Sequence, residues 1–275
     1  MPRMPERPFI SLLTDFGLDT APAVCRGVML SISPEARISD LTHNVRKFAV
    51  RDGAFLLQSA LPYQPVGIHV AVVDPGVGTS RRPIAIRTGR GDILVGPDNG
   101  LLPPAAERLG GVAEAREATN RALFREPVSS TFHARDIFSP VAAHLSVGAP
   151  FEGVGPVIGT DALERLPWPV ARVERGSFQT AVLFIDSFGN CRLAGTRQEL
   201  AEAVSGLEDG LRLRVTAGDR TVTLRWVPSF GHVAPGEPLL YDDADYDGPA
   251  LGVNQGSAAT HFGLALDAPV RVAPA

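Results

Sequence analysis

A carboxylate, a glycine-rich loop and two arginines follow one another in the segment 68–83, which reads IHVAVVDPGVGTSRRP. The apolar run before Asp74 is typical of a strand that is buried on both faces. Pro75 ends that strand, because proline cannot donate to the ladder, and Asp74 is left at its carboxyl end. Ligands of open α/β sheets bind just beyond such ends. The segment is therefore a candidate site, and Arg81 brings positive charge back toward Asp74.

Strands and helices are predicted to alternate through the first half of the chain. The predicted strands are Phe9–Leu13, Arg37–Leu41, the segment beginning at Ile68, Ile84–Arg87 and Ile93–Val95. The predicted helices run from about Val24 to Ile32, Val50 to Leu61, Pro104 to Leu109 and Ile137 to Leu145. This alternation predicts a doubly wound α/β domain.

Polar residues follow most of these predicted strands. They are Asp15, Asp40 with His43, Asp74, and Asp98 with Asn99. If the strands are parallel, these groups gather along one edge of the sheet.

The pattern changes after about residue 150, where glycine and proline become frequent. We predict an N-terminal α/β domain over residues 1–160, a linker over 161–176, and a smaller, mostly antiparallel, β-barrel-like domain over 177–275. The predicted strands of the second domain are Thr180–Ile185, Leu211–Thr216, Thr221–Val227, Pro238–Tyr241, Ala250–Val253 and Val270–Val272.

Composition excludes several classes of protein. The 275 residues are 44% hydrophobic and 20% charged, with a formal net charge of -4, so a general nucleic-acid binder is not expected. Two distant cysteines, Cys25 and Cys191, indicate neither a disulfide framework nor a cysteine-rich zinc site. No apolar run is long enough to span a bilayer or form a signal peptide, and we expect a cytoplasmic protein. Lysine occurs once, at Lys47.

Seven segments carry a resemblance to a known family. They read LLTDFG at 12–17, SDLTH at 39–43, VVDPGVGTSRRP at 72–83, GPDNG at 96–100, SSTFHARDIFSPVAAHLSVG at 129–148, IDSFGN at 185–190 and VNQGSAA at 253–259. In this order they resemble the S-adenosylmethionine hydroxide adenosyltransferases, or SAM hydrolases, which are related to the fluorinase and chlorinase.

This resemblance implies hydrolysis of S-adenosyl-L-methionine to adenosine and L-methionine. It also implies an α/β domain followed by a β-barrel-like domain, and a homotrimer with its sites at the subunit interfaces. The water-activating set of the family falls on Asp74, Arg81 and His133. The substrate-binding positions fall on Asp15 for ribose, on Asp186 and the loop of Asp245 for methionine, on Phe188 and Asn190 for adenine, and on Phe230 and Asn254.

The chemistry of the reaction fits these residue types. Water that attacks the ribose C5′ must be oriented and must lose its proton, which Asp74 or His133 can accept. A halide at the same place would be repelled by the carboxylate of Asp74, so we expect water rather than halide as the nucleophile. No metal or cofactor is required.

Three other functions remain open from the sequence. Because the loop at Asp245 departs from the serine-containing loop of the family, a non-catalytic adenosine or SAM sensor is one alternative. A SAM-dependent halogenase is a second and less favoured alternative. A metallohydrolase would use the polar strand ends, although no HxxxH, HxH or DxD signature supports it.

Several candidates also have a purely structural interpretation. Asp15 could cap the helix that follows it, and Asp186 and Asn190 could organise a turn. We expect His43 to be structural through a hydrogen bond to the backbone. Arg82 is expected at the surface or in a salt bridge, and Asp98 and Asn99 are expected to support a loop.

Overall fold

The first half of the chain forms a seven-stranded mixed sheet. The computed structural model describes residues 7–275. The strands of this sheet are β1 (Phe9–Thr14), β2 (Arg37–Thr42), β3 (Ile68–Val72), β4 (Pro83–Thr88), β5 (Ile93–Pro97), β6 (Val112–Glu117) and β7 (Val157–Ile158). They lie in the order β2-β1-β3-β5-β4-β6-β7. Every residue of β1 and β3 is buried, as the continuous apolar runs predicted.

Four strands of this sheet are parallel. β1 pairs with β2 and β3, and β3 pairs with β5, all in parallel register. Their carboxyl ends therefore share one edge, and the predicted gathering of polar groups there is confirmed. β4 runs antiparallel to β5, so its carboxyl end points the other way.

Helices cover the sheet in two pairs. They are α1 (Ala21–Ile32), α2 (Val50–Ala60), α3 (Pro103–Arg108) and α4 (Ser139–Ser146). α1 packs against α4, α2 packs against α3, and both α2 and α4 contact β1 and β3. The core between α1, α4 and the sheet includes Cys25, Met29, Phe138 and Val141.

The second half of the chain is a single antiparallel sheet that curls toward closure. Its strands are β8 (Arg172–Glu174), β9 (Ser177–Ile185), β10 (Cys191–Leu193), β11 (Arg212–Ala217), β12 (Arg220–Arg225), β13 (Pro238–Asp243), β14 (Gly248–Val253) and β15 (Pro269–Pro274). The path runs β12-β11-β15-β9-β10-β14-β13, with β8 beside β9. A bridge between Trp226, just after β12, and Leu240 on β13 joins the two ends of the path. The predicted barrel-like domain is confirmed.

The chain divides between Leu166 and Pro167 into two units. β7 pairs with β6 in the first unit, and β8 pairs with β9 in the second, so part of the glycine- and proline-rich stretch is strand.

Some elements were not predicted from the sequence. β6 reads VAEARE and β10 has three residues, so neither has the apolar run of a typical strand. The helices α5 (Arg197–Val204) and α6 (Ala258–Phe262) were also missed. α5 carries a capping box between Thr196 and Glu199, a signal that could have revealed it. None of the helices in residues 7–275 is long and apolar enough to cross a membrane.

Candidate active site

Asp15 lies directly after β1, at the edge where the parallel strands end. Its Oδ2 accepts a hydrogen bond from the backbone N–H of Phe48 at 2.9 Å. Helix α1 has Thr20 as its N-cap and no side-chain cap bond, so the interpretation of Asp15 as a helix cap is wrong. The carboxylate is instead held by the loop that follows β2.

Asp74, Arg81 and His133 form one hydrogen-bonded cluster. Arg81 Nε donates to both oxygens of Asp74, at 2.9 and 3.0 Å, and its Nη2 forms an ion pair with Oδ2. The same Nη2 donates to Nδ1 of His133 at 2.8 Å. The side chains of Asp74 and Arg81 are 5% and 9% exposed, which strengthens these charge-assisted bonds. The structure thus brings together three residues that are far apart in sequence.

A glycine permits the close approach that completes this cluster. Gly78 has φ +77°, and a Cβ at this position would lie 2.2 Å from the carbonyl oxygen of Ser130. Any side chain would push the loop between β3 and β4 away from the segment that precedes His133. Gly78 therefore allows Arg81 and His133 to meet.

The segment of His133 is anchored by a buried acid. Asp136 accepts hydrogen bonds from the backbone of Ser129 and the side chains of Arg125 and Arg135. Burial raises the pKa of Asp136, but the hydrogen bonds from Arg135 and Ser129 outweigh it and the pKa is lowered. The ionised carboxylate fixes the turn before a π-helical segment, Ala134–Phe138, that leads into α4.

The ring of His133 is neutral in this arrangement. Burial, and then the positive charge of Arg81, lower the pKa of His133 below its ordinary value, and the nearby Asp74 and Asp136 oppose that shift. Because Nδ1 accepts a bond from Arg81, the proton of the neutral ring lies on Nε2. His133 therefore presents an N–H donor.

Asp15, Asp74 and His133 line one pocket of about 210 Å³, which we call the unit-1 pocket. Its lining includes Asp15, Lys47, Phe48, Asp74, Phe132 and His133. Sequence reasoning missed Lys47, Phe48 and Phe132. Phe132 lies inside the motif at 129–148, which was a usable signal. Phe48 is 70% exposed and has φ +63°, a strained backbone that the sequence does not reveal.

A second pocket, of about 540 Å³, lies in the second unit, and we call it the unit-2 pocket. Four of the predicted substrate-binding residues line it: Phe188, Asn190, Phe230 and Asn254. Phe188 is 77% exposed, whereas Phe230 packs on Tyr241 with ring centroids 5.0 Å apart. Asn254 donates to the carbonyl of Val233 at 2.8 Å and so supports the loop of Phe230.

Asp186 organises the turn that presents Asn190. Its Oδ1 accepts the backbone N–H groups of Phe188 and Asn190, both at 2.9 Å, and its Oδ2 accepts the side-chain amide of Asn190 at 2.9 Å. The amide oxygen of Asn190 is buried and has no hydrogen-bond partner among residues 7–275. Asp186 is not among the residues that line the unit-2 pocket, and Asp245 lies outside it in the exposed turn between β13 and β14.

The other polar strand ends have structural partners. Asp98 accepts from Arg82 Nε at 2.9 Å and from the backbone of Glu164 at 3.0 Å. Asn99 donates to the carbonyl of Val73 at 2.9 Å. The salt bridge predicted for Arg82 and the loop support predicted for Asp98 and Asn99 are confirmed. Within residues 7–275, no three His, Cys, Asp or Glu side chains are arranged to hold a metal ion.

His43 contacts a different partner from the one predicted. Its Nδ1 lies 2.9 Å from the hydroxyl of Thr14, and its Nε2 lies 3.2 Å from Asp40. The predicted bond from the ring to the backbone is wrong, because the buried Thr14 hydroxyl at the end of β1 is closer. The carbonyl of His43 accepts from Gly17 at 2.7 Å, so this residue holds the turn that carries Asp15.

Two family models match almost the whole chain. One describes the SAM hydroxide adenosyltransferase N-terminal domain and matches residues 10–155, and the other describes the C-terminal domain and matches residues 180–271. The chain belongs to the SAM hydroxide adenosyltransferase family. The resemblance inferred from the seven motifs is confirmed.

Individual members of the family and their relatives agree with this assignment. A protein of Salinispora tropica named (R)-S-adenosyl-L-methionine hydrolase is 46% identical over 262 residues, covering 95% of this chain and 96% of its own. A fluorinase of Actinoplanes sp. is 30% identical, over 85% and 87% of the two chains. A crystal structure of an uncharacterized conserved protein from Thermotoga maritima superposes with a TM-score of 0.89 at 35% identity, over 96% and 99% of the chains.

Proposed function

We propose that this protein is a hydrolase that converts S-adenosyl-L-methionine and water to adenosine and L-methionine. Its high identity to a protein named for this activity, over nearly the full length of both chains, supports the proposal. The observation that carries it is the cluster of Asp74, Arg81 and His133 beside Asp15 in the unit-1 pocket.

In the proposed reaction, water attacks C5′ of the ribose from the side opposite the sulfonium. The new O–C5′ bond forms as the C5′–S bond breaks, and the bonding electrons pass to sulfur, so methionine leaves as a neutral thioether. Asp74 accepts the proton of the water, while the Nε2–H of His133 donates to the water oxygen and orients it. Arg81 holds both groups and stabilises the developing negative charge. The step uses no metal or cofactor.

Asp15 is the proposed ribose anchor. Its Oδ2 is held by Phe48, and within residues 7–275 no hydrogen bond is made to its Oδ1. A carboxylate in this state can accept a bond from the ribose diol. Positioning the ribose from Asp15 would place C5′ within the same pocket as Asp74 and His133.

The unit-2 pocket is the proposed adenine site. Phe188 and Phe230 offer flat faces for stacking, and the unpartnered oxygen of Asn190 can accept the exocyclic amine of adenine. Asp186 holds Asn190 and Asn254 supports the loop of Phe230, and contact of Asp186 and Asp245 with methionine stays a prediction.

We further propose a homotrimer in which the unit-1 pocket of one copy and the unit-2 pocket of a neighbouring copy bind one substrate molecule. The exposure of Phe48 and Phe188, two large aromatic side chains, supports an interface at each pocket. Light scattering coupled to size-exclusion chromatography tests the assembly. A monomeric mass at working concentration would refute it.

Chromatography of reaction products tests the function. Purified protein is incubated with each sulfonium epimer of S-adenosyl-L-methionine, first without halide and then with chloride or fluoride, with Asp74→Ala alongside. Adenosine and methionine from the wild type alone are expected. A 5′-halo product would contradict water as the nucleophile, and bound substrate without any product would favour a sensor.

A further inference from the structure

The unit-1 pocket contains a positive side chain that has no part in the proposed mechanism. Lys47 is the only lysine of the chain and lies outside the seven family motifs. The next residue, Phe48, donates its backbone N–H to Asp15 at 2.9 Å, which ties this part of the chain to the ribose anchor. A Cβ added to Gly17, two residues beyond Asp15, would lie 3.7 Å from Nζ of Lys47.

Lys47 is exposed and makes no hydrogen bond or ion pair with any residue in 7–275. Two arginines of the same unit differ in this respect. Arg46 donates two hydrogen bonds to the buried Asp52, and Arg26 pairs with Asp40. The nearby carboxylate of Asp74 is already paired with Arg81. The ammonium of Lys47 is therefore available to pair with a negatively charged group of a ligand bound in this pocket.

The proposed substrate has one anionic group. S-Adenosyl-L-methionine carries a positive sulfonium, a positive ammonium and one negative α-carboxylate. Five bonds separate the carboxylate carbon from C5′ of the ribose. The side chain of lysine has four flexible methylenes, so its ammonium can contact a carboxylate at this distance from the reacting carbon. We propose that Lys47 recognises the α-carboxylate of the substrate and so selects sulfonium compounds that carry an amino-acid end.

This inference rests on the proposed function and predicts a specific kinetic signature. The charge of the carboxylate does not change while C5′ reacts, so Lys47 binds ground state and transition state equally. Loss of the ammonium is expected to raise KM and leave kcat nearly unchanged, unlike loss of a group that acts only in the transition state.

The test compares two substrates with matched variants. Lys47→Met removes the charge, Lys47→Arg keeps it, and Arg37→Met removes an exposed charge at the opposite end of β2. The substrates are S-adenosyl-L-methionine and its decarboxylated form, which keeps the sulfonium and the amine. Lys47→Met is expected to lower kcat/KM for the first about tenfold or more, and to leave the second unchanged. Lys47→Arg should retain most activity, and Arg37→Met should behave as wild type on both.

A binding measurement separates this proposal from the hydrolase proposal, since it needs no turnover. An amine-acylating reagent modifies one side chain, Lys47, besides the N-terminal amine. Peptide mass spectrometry should show that S-adenosyl-L-methionine slows acylation of Lys47 and that the decarboxylated form does not. Equal protection by both ligands, equal kinetic loss on both substrates, or no effect of Lys47→Met would overturn the role of Lys47. If the wild-type protein forms no products but still shows selective protection, only the hydrolase proposal is overturned.

Discussion

The two pockets differ in how their polar groups are satisfied. In the unit-1 pocket, Arg81 bonds both Asp74 and His133, and the acid and the guanidinium are almost completely buried. In the unit-2 pocket, Phe188 is 77% exposed and the amide oxygen of Asn190 has no partner among the described residues. The bonds that join Asp74, Arg81 and His133 are present before any ligand arrives, while the unit-2 pocket still has an unused stacking face and an unused acceptor.

The difference fits the role proposed for each pocket. Groups that stabilise developing charge are effective when they are already oriented, because no reorganisation is then needed during the reaction. Groups that recognise a flat, neutral base can be completed by the base itself, which covers the aromatic face and supplies the missing donor. We therefore expect substitutions of Asp74, Arg81 and His133 to change kcat and those in the unit-2 pocket to change KM.

The largest effect is expected for Asp74→Asn. The amide keeps the size of the carboxylate but cannot take a proton from water, so kcat should fall by about 100- to 10,000-fold while substrate binding persists. Steady-state kinetics and calorimetric titration measure the two quantities. Asp98→Asn is the matched control, since Asp98 also pairs with an arginine but lies outside the pocket. Asp98→Asn should lower the free energy of unfolding and leave kcat of the folded protein unchanged. If kcat of Asp74→Asn fell by less than tenfold, Asp74 would not be the base.

A smaller effect, on KM, is expected for Phe188→Ala. Loss of one stacking face should weaken substrate binding by about 10- to 100-fold, and the exposed position predicts little change in Tm. Phe230→Ala should weaken binding and also lower Tm, because Phe230 packs on Tyr241. Kinetics and thermal unfolding of both variants test this contrast. Equal changes in Tm would show that Phe188 is part of the folded core.

The amide oxygen of Asn190 is expected to contribute about tenfold to recognition of adenine. Asn190→Ala should raise KM by that factor for S-adenosyl-L-methionine. The hypoxanthine analogue has a carbonyl in place of the amine, so on this analogue Asn190→Ala should cause no further loss. An equal loss on both substrates would mean that Asn190 acts through the turn it shares with Asp186 instead.

The smallest expected effect is a change in the pKa of His133 when Arg81 is replaced. In the wild type its pKa lies below the ordinary value of 6.5, owing first to burial and then to Arg81, with Asp74 opposing. Arg81→Met removes the repulsion and leaves Asp74, so the pKa should rise. NMR of the imidazole C–H signals measures both values. An unchanged or lower pKa in the variant would show that Arg81 does not set the protonation state.

The same shift has a consequence for stability. A histidine whose pKa is lowered by folding takes up its proton more readily in the unfolded chain. His133 therefore destabilises the wild type as pH falls from about 7 through 6.5 and toward the lower folded-state pKa. Arg81→Met should show a weaker dependence on pH across this window, measured by denaturant unfolding.

Much of the architecture could be predicted from local pattern. The apolar runs of β1 and β3 indicated strands covered on both faces, and Pro75 marked the point where Asp74 leaves the sheet. β6 and β10 were missed because a charged or very short strand is stabilised by its neighbours rather than by its own residue types.

By itself, the sequence determined the fold class and the family and named the candidate reactive residues, because strand periodicity and ordered motifs are local properties. Only the tertiary structure decided how those residues are paired. Arg81 reaches His133 because the loop of Gly78 can approach Ser130, and Lys47 and Phe48 enter the pocket because the loop after β2 folds back on Asp15. Contacts of this kind join residues that are distant in the chain, and no spacing along one sequence records them.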